Sequence, residues 1–378
     1  MDSSAIGVLV EQITRGFAAF TWGNALMIAV GMGLIGLAVV KEYEPVLLLP
    51  IGFGCILANL GMSTSQEGGL MYWLYTAGIQ TELFPLLIFV GVGAMIDFRP
   101  LLAMPQMVLL GAAGQFGIYG TLILATLLGY PLNQAASIGV IGAIDGPTAI
   151  FVTSRLAPEM LGPIAVAAYS YMSLIPIIQP PIMRLMTTRK ERLIRMAYAP
   201  RPVSRLAVVL FPLVVTIVVS LIAPDAAPLI ATLMLGNLLR ESGVVERLSK
   251  AAQNEIINIA TLFLGLTIGA TMTADSFLRW QTLGILALGL LAFVLDTVAG
   301  LLFGKLMSVV TGGKVNPLIG ACGISAFPMA GRLSARMAQE EDFENFILMH
   351  AMGANTAGQL GSVIAGGLLL ALVSGVLH

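Results

Sequence analysis

The sequence predicts an all-α, polytopic membrane protein with about nine to eleven transmembrane or part-spanning helices, arranged as two structural repeats that each contain a broken or re-entrant helix. Three observations lead there. Of the 378 residues, 57% are hydrophobic and only 10% charged, whereas a soluble domain carries about a quarter charged residues. Uncharged blocks run from Gly16 to Val40, Pro45 to Gln66, Pro100 to Ile144, Met160 to Met183, Leu206 to Pro224, Ile256 to Ala274 and Asn345 to Leu377. A helical span needs roughly 20 apolar residues, and runs of this length exclude the short alternating strands of a barrel. Short sequences also recur at a nearly constant offset: Ile141-Gly142-Ala143 as Ile319-Gly320-Ala321, Arg155-Leu156 as Arg332-Leu333, and Gly93-Ala94 as Gly269-Ala270. Such self-similarity points to an internal duplication.

The elements follow in chain order. After Ser3 and Ser4, the residues Ile6, Leu9, Val10, Ile13, Phe17 and Phe20 recur at helical spacing, which predicts an amphipathic helix lying at the membrane interface. No basic region or small-residue cleavage site accompanies it, so no cleaved signal peptide is expected. Residues 1–82 hold this helix and the entry transmembrane helices, 83–183 the first repeat, 184–255 a basic loop and a transmembrane hairpin, and 256–378 the second repeat. Arg184, Arg189, Lys190, Arg192, Arg195, Arg201 and Arg205 stand against the single acid Glu191, which places that loop in the cytoplasm. The turn "APDAAP" at 223–228 is then external, and Arg240 to Lys250 is cytoplasmic again. Contact with anionic lipid is the plain reading of the basic loop, and docking of an acidic soluble partner the sharper one. If every block crossed fully, the two repeats would be parallel; an inverted pair requires re-entrant segments, which the Gly- and Pro-containing blocks permit.

The chemistry concentrates at "IGAIDGPTAIF", residues 141–151. Glycine relaxes the backbone and proline removes a donor, so Asp145-Gly146-Pro147-Thr148 is a plausible helix break. A break frees carbonyl oxygens, and these, with a carboxylate and the Thr148 hydroxyl, suit a hard cation. An ionised acid inside a membrane is a functional candidate by default. The plainer alternative is an N-cap for the following half-helix. The matching stretch "NPLIGACGISAFPMAGR", 316–332, offers Asn316, Ser325, the backbone around Gly320, Gly323 and Pro328, and Arg332, but no acid aligned with Asp145. Local back-bonding is the common role of a lone membrane serine such as Ser325.

Other polar groups have competing readings. Tyr169, Ser170, Tyr171 and Ser173 precede Gln179 and two prolines, and tyrosines near a span end usually form an interfacial belt. For Asp296, and for His350, Asn355 and Gln359 on the last helix, bonding between helices is as good an account as ligand binding. Cys55 and Cys322 are too few and too far apart for a disulfide framework or metal site. No Walker loop, dinucleotide fingerprint or zinc spacing occurs, and the clustered juxtamembrane bases do not indicate nucleic acid.

With these residues in view, the chain resembles the beta subunit of the sodium-translocating biotin-dependent decarboxylases, which act on oxaloacetate, methylmalonyl-CoA, glutaconyl-CoA or malonate. The resemblance spans nearly the whole length and rests on "GAIDGPTAIF", "AVAAYSYMSLIPIIQPPIMR", "GNLLRESGVVERLS", "NPLIGACGISAFPMAGR" and "LMHAMGANTAGQLGS". It implies a prokaryotic inner-membrane protein that decarboxylates carboxybiotin and couples this to outward sodium transport, with a proton consumed. The cofactors implied are sodium and a biotin carried by another subunit, since this chain has no "MKM" attachment motif. The partners implied are a soluble carboxyltransferase/biotin-carrier subunit and a small membrane-anchored subunit, in an oligomeric assembly within the lipid bilayer.

Residue by residue, the resemblance makes Asp145 a sodium-site and coupling residue and Tyr171 part of the same pathway. It makes Asn316, Gly320 and Ser325 further sodium-site positions, and Arg332 the residue at the carboxybiotin end. All six residue types match. Two departures stand out. The segment Gly61 to Glu82 is short where some oxaloacetate-type relatives carry an insertion, which favours an acyl-CoA or malonate system. Asp296 is outside the family pattern. The alternative of another class is a secondary sodium-coupled transporter of a small organic anion, built on the same broken-helix logic; a purely structural anchor fits poorly with an acid at a helix break.

Overall fold

The computed structural model describes residues 20–64, 67–197 and 202–377, and among them every regular element is helical. The amphipathic helix expected at the N-terminus lies outside the described residues. In order, the helices are α1 (Trp22–Val40), α2 (Pro45–Ala58), α3 (Leu70–Leu74), α4 (Leu83–Met95), α5 (Arg99–Ala103), α6 (Met107–Ala113), α7 (Phe116–Leu127), α8 (Leu132–Gly139), α9 (Gly146–Leu156), α10 (Leu161–Met186), α11 (Arg189–Arg192), α12 (Arg205–Ile222), α13 (Ala227–Ser242), α14 (Glu246–Ala251), α15 (Ile257–Thr271), α16 (Ala274–Phe277), α17 (Trp280–Val310), α18 (Met329–Glu341) and α19 (Leu348–Leu377). Among the described residues, seven segments are long and apolar enough to cross a bilayer, and an eighth is the pair 70–80 and 83–95, bent by 57°. The bend sits at Glu82, which is left-handed (φ 63°) and ion-paired with Arg155. The order long helix, one-turn helix, long span, interrupted segment, short helix, long helix occurs over 83–186 and again over 257–377.

Both interrupted segments fold back as hairpins, and polar contacts give their direction. Lys305, near the end of α17, pairs with Glu191 of the basic loop at 3.2 Å. Asn316 and Asn345 each donate through Nδ2 to the carbonyls of Arg192 and Ile194, at 2.9 and 2.9 Å and at 3.0 and 3.3 Å. The chain therefore enters at 316 and leaves at 345 on the basic side, descending through the 3₁₀ turns Pro317–Gly323 and returning along α18. In the first hairpin, Asn133 donates to the Leu156 carbonyl at 2.9 Å and Gln134 to Glu159 at 3.0 Å, so its legs also begin and end together. That mouth lies beside Tyr130, whose hydroxyl packs on Gly284 near the opposite end of α17. Gly284 and Lys305 are 21 residues apart on α17, about 32 Å at 1.5 Å per residue, so the two mouths lie toward opposite ends of that helix.

Two reciprocal helix pairs frame the hairpins. A Cβ on Gly54 would overlap the Leu266 carbonyl, and one on Gly269 the Ile51 carbonyl; Gly236 and Gly93 stand in the same relation to the Val90 and Leu233 carbonyls. Small residues let these backbones touch, which is how helices associate when lipid removes the hydrophobic drive between them. Helix α2 thus crosses onto α15 and α13 onto α4, tying the entry helices of each half to the other half.

Candidate functional site

The two hairpin tips meet in the interior. In the first, the 3₁₀ turn Val140–Ala143 ends at Ile144, held left-handed at φ 52°, and Asp145 caps α9, its Oδ1 accepting from the Thr148 N–H at 3.3 Å. Pro147 occupies the first turn, where a missing N–H costs nothing. In the second, the Ser325 hydroxyl donates to the Ala143 carbonyl at 2.6 Å, and its own N–H reaches the same oxygen at 3.3 Å. Ser325 is thus brought within two residues of Asp145 along the chain it touches.

Asp145 is 5% exposed. Its Oδ2 accepts from Gln359 Nε2 and Ser362 Oγ, both at 2.9 Å. Asn355, Gln359 and Ser362 follow one another at four and three residues on α19, which puts them on one helix face. Asn355 donates to the carbonyls of Cys322 and Ile324 at 3.3 and 2.7 Å, and Gln115 and Gln179 donate to those of Gly323 and Ala321 at 3.3 and 2.8 Å. The interrupted backbone at 320–324 is therefore held by side-chain amides, while the amide oxygens of Asn355, Gln115 and Gln179 remain without partners. The hydroxyl of Tyr169 is likewise buried and unpartnered. The Tyr169 ring packs on Gly146 so closely that a Cβ there would overlap it and sit 2.7 Å from the hydroxyl.

Every hydrogen bond to the Asp145 carboxylate comes from a neutral group, and among the described residues no lysine or arginine pairs with it. A buried carboxylate held this way has unbalanced charge. Oxygen donors and one carboxylate are the ligand set of a hard cation. Among the described residues no three His, Cys, Asp or Glu side chains cluster, so the donor set does not resemble a thiolate or imidazole site.

The remaining expected residues are dispersed. Tyr171 points from α10 to α17, donating to the Leu286 carbonyl and packing on Gly289, away from Asp145. Asn316 stands at the mouth of the second hairpin, its oxygen capping Leu318 N at 3.0 Å and its amide on the basic loop. Gly320 is fitted against Gly300 of α17, where a Cβ would overlap the Gly300 carbonyl. Arg332 is exposed on the returning leg and, among the described residues, has no ion-pair partner. Asp296 accepts from the Gly117 N–H where α6 gives way to α7, supplying a partner to a donor that a helix start leaves free. Of these positions the sequence reading did not single out Ser362 or Gln115; the helical spacing from Asn355 through Gln359 extends to Ser362 and was the available signal. Cys55 and Cys322 are both buried free thiols.

Among the described residues, part of the basic loop's charge is already paired. Arg184 pairs with Glu340 at 3.1 Å, Arg189 and Arg192 with Glu341 at 3.2 and 2.7 Å, and Arg195 with Asp342 and Glu344 at 2.6 and 3.0 Å. Hydrogen bonds from Arg192 and Arg195 hold Glu341 and Asp342 below the usual carboxylate range. Four of the loop's bases, Arg184, Arg189, Arg192 and Arg195, are thus matched by acids in and just after the last turn of α18.

Residues 23–373 match the family model described as the Na+-transporting oxaloacetate decarboxylase beta subunit. The chain belongs to this family. It is 52% identical over 375 residues to the glutaconyl-CoA decarboxylase subunit beta of Acidaminococcus fermentans, covering 99% of this chain and all of that one. It is 52% identical to the methylmalonyl-CoA decarboxylase subunit beta of Veillonella parvula, with the same coverage. With the oxaloacetate decarboxylase beta chain of Klebsiella pneumoniae it shares 47% over 413 aligned positions, covering 93% of this chain and 95% of that one. As a decarboxylase beta subunit in a multi-pass helical frame, it carries its charge-deficient carboxylate where the two hairpins of that frame converge.

Proposed function

We propose that this subunit decarboxylates carboxybiotin presented by a partner polypeptide and uses the reaction to move sodium outward, with Asp145 as the charged ligand of the sodium site. The observation that carries this reading is the Asp145 carboxylate, buried between the hairpin tips with neutral donors only. Ser362, Gln359 and the Thr148 N–H bond Asp145 directly, and Ser325 meets the same hairpin tip at the Ala143 carbonyl; Asn316, Gly320 and Tyr171 remain candidate members of the sodium pathway, and their contacts brace the second hairpin and join α10 to α17.

Carboxybiotin splits at its N–C bond to give carbon dioxide and a biotin anion equivalent, which takes up one proton. Arg332, exposed on the hairpin that opens to the basic side, is suited to hold the carboxylate through charge-assisted hydrogen bonds. The Asp145 carboxylate alternates between sodium and a proton, since neither charge state has a resident cation to fix it. A soluble carboxyltransferase with its biotin carrier and a small membrane-anchored subunit complete the assembly. The higher identity to the two acyl-CoA decarboxylase subunits, and the extra aligned length required by the oxaloacetate chain, favour an acyl-CoA substrate for the complex.

The test is the full chain with its membrane partner in sodium-loaded and sodium-free proteoliposomes. Carboxybiotin turnover stimulated by sodium, with radioactive sodium accumulating only while carboxybiotin is consumed, is the expected result. Sodium uptake driven by a pre-imposed gradient of an organic anion, with no decarboxylation, would instead mark a secondary transporter.

A further inference from the structure

The turn that joins α18 to α19 is built more rigidly than a connection requires. Asn345 N–H donates to the Asp342 carbonyl at 2.9 Å, Phe346 N–H to the Glu344 carbonyl at 3.1 Å, and Glu344 N–H to Asp342 Oδ1 at 3.2 Å. Arg195 bridges Asp342 and Glu344 from outside, and the Asn345 amide, 0% exposed, pins the turn to the basic loop from inside. Asn345 and Ile347 are buried, whereas Phe343 and Phe346 are 81% and 63% exposed. Burying a phenyl ring is worth about 1.5–3 kcal/mol, so two rings held outward on a braced turn are an unused apolar surface of the kind that anchors an interface. Lipid is a poor occupant. Phe343 lies between two acids that are ion-paired to Arg195, itself 56% exposed, which sets the turn at the level of water and not of acyl chains.

We propose that this turn is the docking surface for the protein that delivers carboxybiotin, with Phe343 and Phe346 as its apolar anchors. The inference rests on the function proposed above. Its direct support is continuity: the turn is the rim of the hairpin whose returning leg carries the unpaired Arg332. From Glu341 to Arg332 is nine helical steps, about 14 Å. A carrier seated on the rim therefore offers its carboxylated group on an extended arm that reaches down α18 to that guanidinium. Because the turn is already ordered, little conformational freedom is lost on docking.

The experiment compares two substrates on the full chain with its membrane partner in proteoliposomes: the carboxylated carrier polypeptide purified from the native complex, and free carboxybiotin. In the Phe343→Ala/Phe346→Ala protein, KM for the carrier-bound substrate is expected to rise at least tenfold, with kcat/KM for free carboxybiotin within twofold of the unmodified protein. An unchanged carrier KM, or an equal loss with both substrates, overturns the proposal. Phe343→Trp supplies a second readout: its fluorescence is expected to shift on adding the carrier, and quenching by brominated lipid with no response to the carrier would assign the surface to the membrane instead. Absent turnover of both substrates by the unmodified protein would sink the functional reading itself, a result distinct from either of these.

Discussion

Replacing Asp145 by asparagine separates the fold from the ion. Asparagine keeps one oxygen in place for the Thr148 N–H, 3.3 Å away. Its amide nitrogen falls opposite Ser362 Oγ and Gln359 Nε2, the partners at 2.9 Å. The hydroxyl can rotate to accept and the Gln359 amide can turn, so at most one hydrogen bond of about 1 kcal/mol is at stake. Against that, a buried charge without a counter-charge disappears, which relieves the fold. Thermal stability in sodium-free detergent is therefore expected to be equal to or above that of the unmodified protein. The sodium site loses its one charged ligand, and removing one partner of a buried ion pair costs about 3–5 kcal/mol. At 1.4 kcal/mol per factor of ten, sodium half-saturation for decarboxylation should rise by about 10²-fold to several thousand-fold. Turnover measured against sodium concentration in proteoliposomes checks this. Half-saturation within threefold of the unmodified protein, in a variant that remains folded, would refute the assignment of Asp145 as the charged ligand.

Three further outcomes follow from other parts of the structure. Arg332→Ala should lose carboxybiotin turnover by at least tenfold while sodium binding, read by sodium-dependent thermal stabilisation, stays near normal; equal loss of both would count against a substrate-end role. Gly236→Ala should destabilise by about 1–3 kcal/mol through overpacking against Val90, whereas Gly33→Ala, which faces open space, should not; thermal unfolding of the two variants decides. The ion pairs of Glu341 and Asp342 give the basic loop a defined acid response. Both groups are held below the usual carboxylate range by Arg192 and Arg195, so their stabilising contribution is fully present above the ordinary carboxylate values near about 4. It is lost only as pH falls through the lowered ones. Limited proteolysis within 187–197 should be flat from neutral pH down to about 4 and increase below that; cleavage rising already at pH 6 would contradict the pairing.

How much of this was legible in the sequence depends on what fixes each feature. Spans follow from uncharged length, and the break at Asp145-Gly146-Pro147 follows from local chemistry, so both are visible in the residues alone. The block Pro100 to Ile144 contains a whole span and one leg of a hairpin with no charge between them, so hydropathy cannot mark where the chain turns back; Asn133 and Gln134 contacting Leu156 and Glu159 do. Tyr169 and Tyr171 are two residues apart on α10, roughly 200° around the helix. Because that helix is packed on both faces, no polarity pattern says which ring meets Gly146. The loop arginines look like a free basic patch because the acids that neutralise them come about 150 residues later, and only the return of α18 brings them together.

The meeting of the hairpin tips at Ala143 and Ser325 also has an electrical meaning. Residues 140–146 and 317–325 are buried along both tips, so the hairpins meet in packed protein of low dielectric. An ion handed over at Asp145 crosses that packed layer, and each charge moved works against about 2.3 kcal/mol per 100 mV of membrane potential. Under the proposed function, the voltage dependence of turnover is therefore expected to concentrate at the contact between the tips.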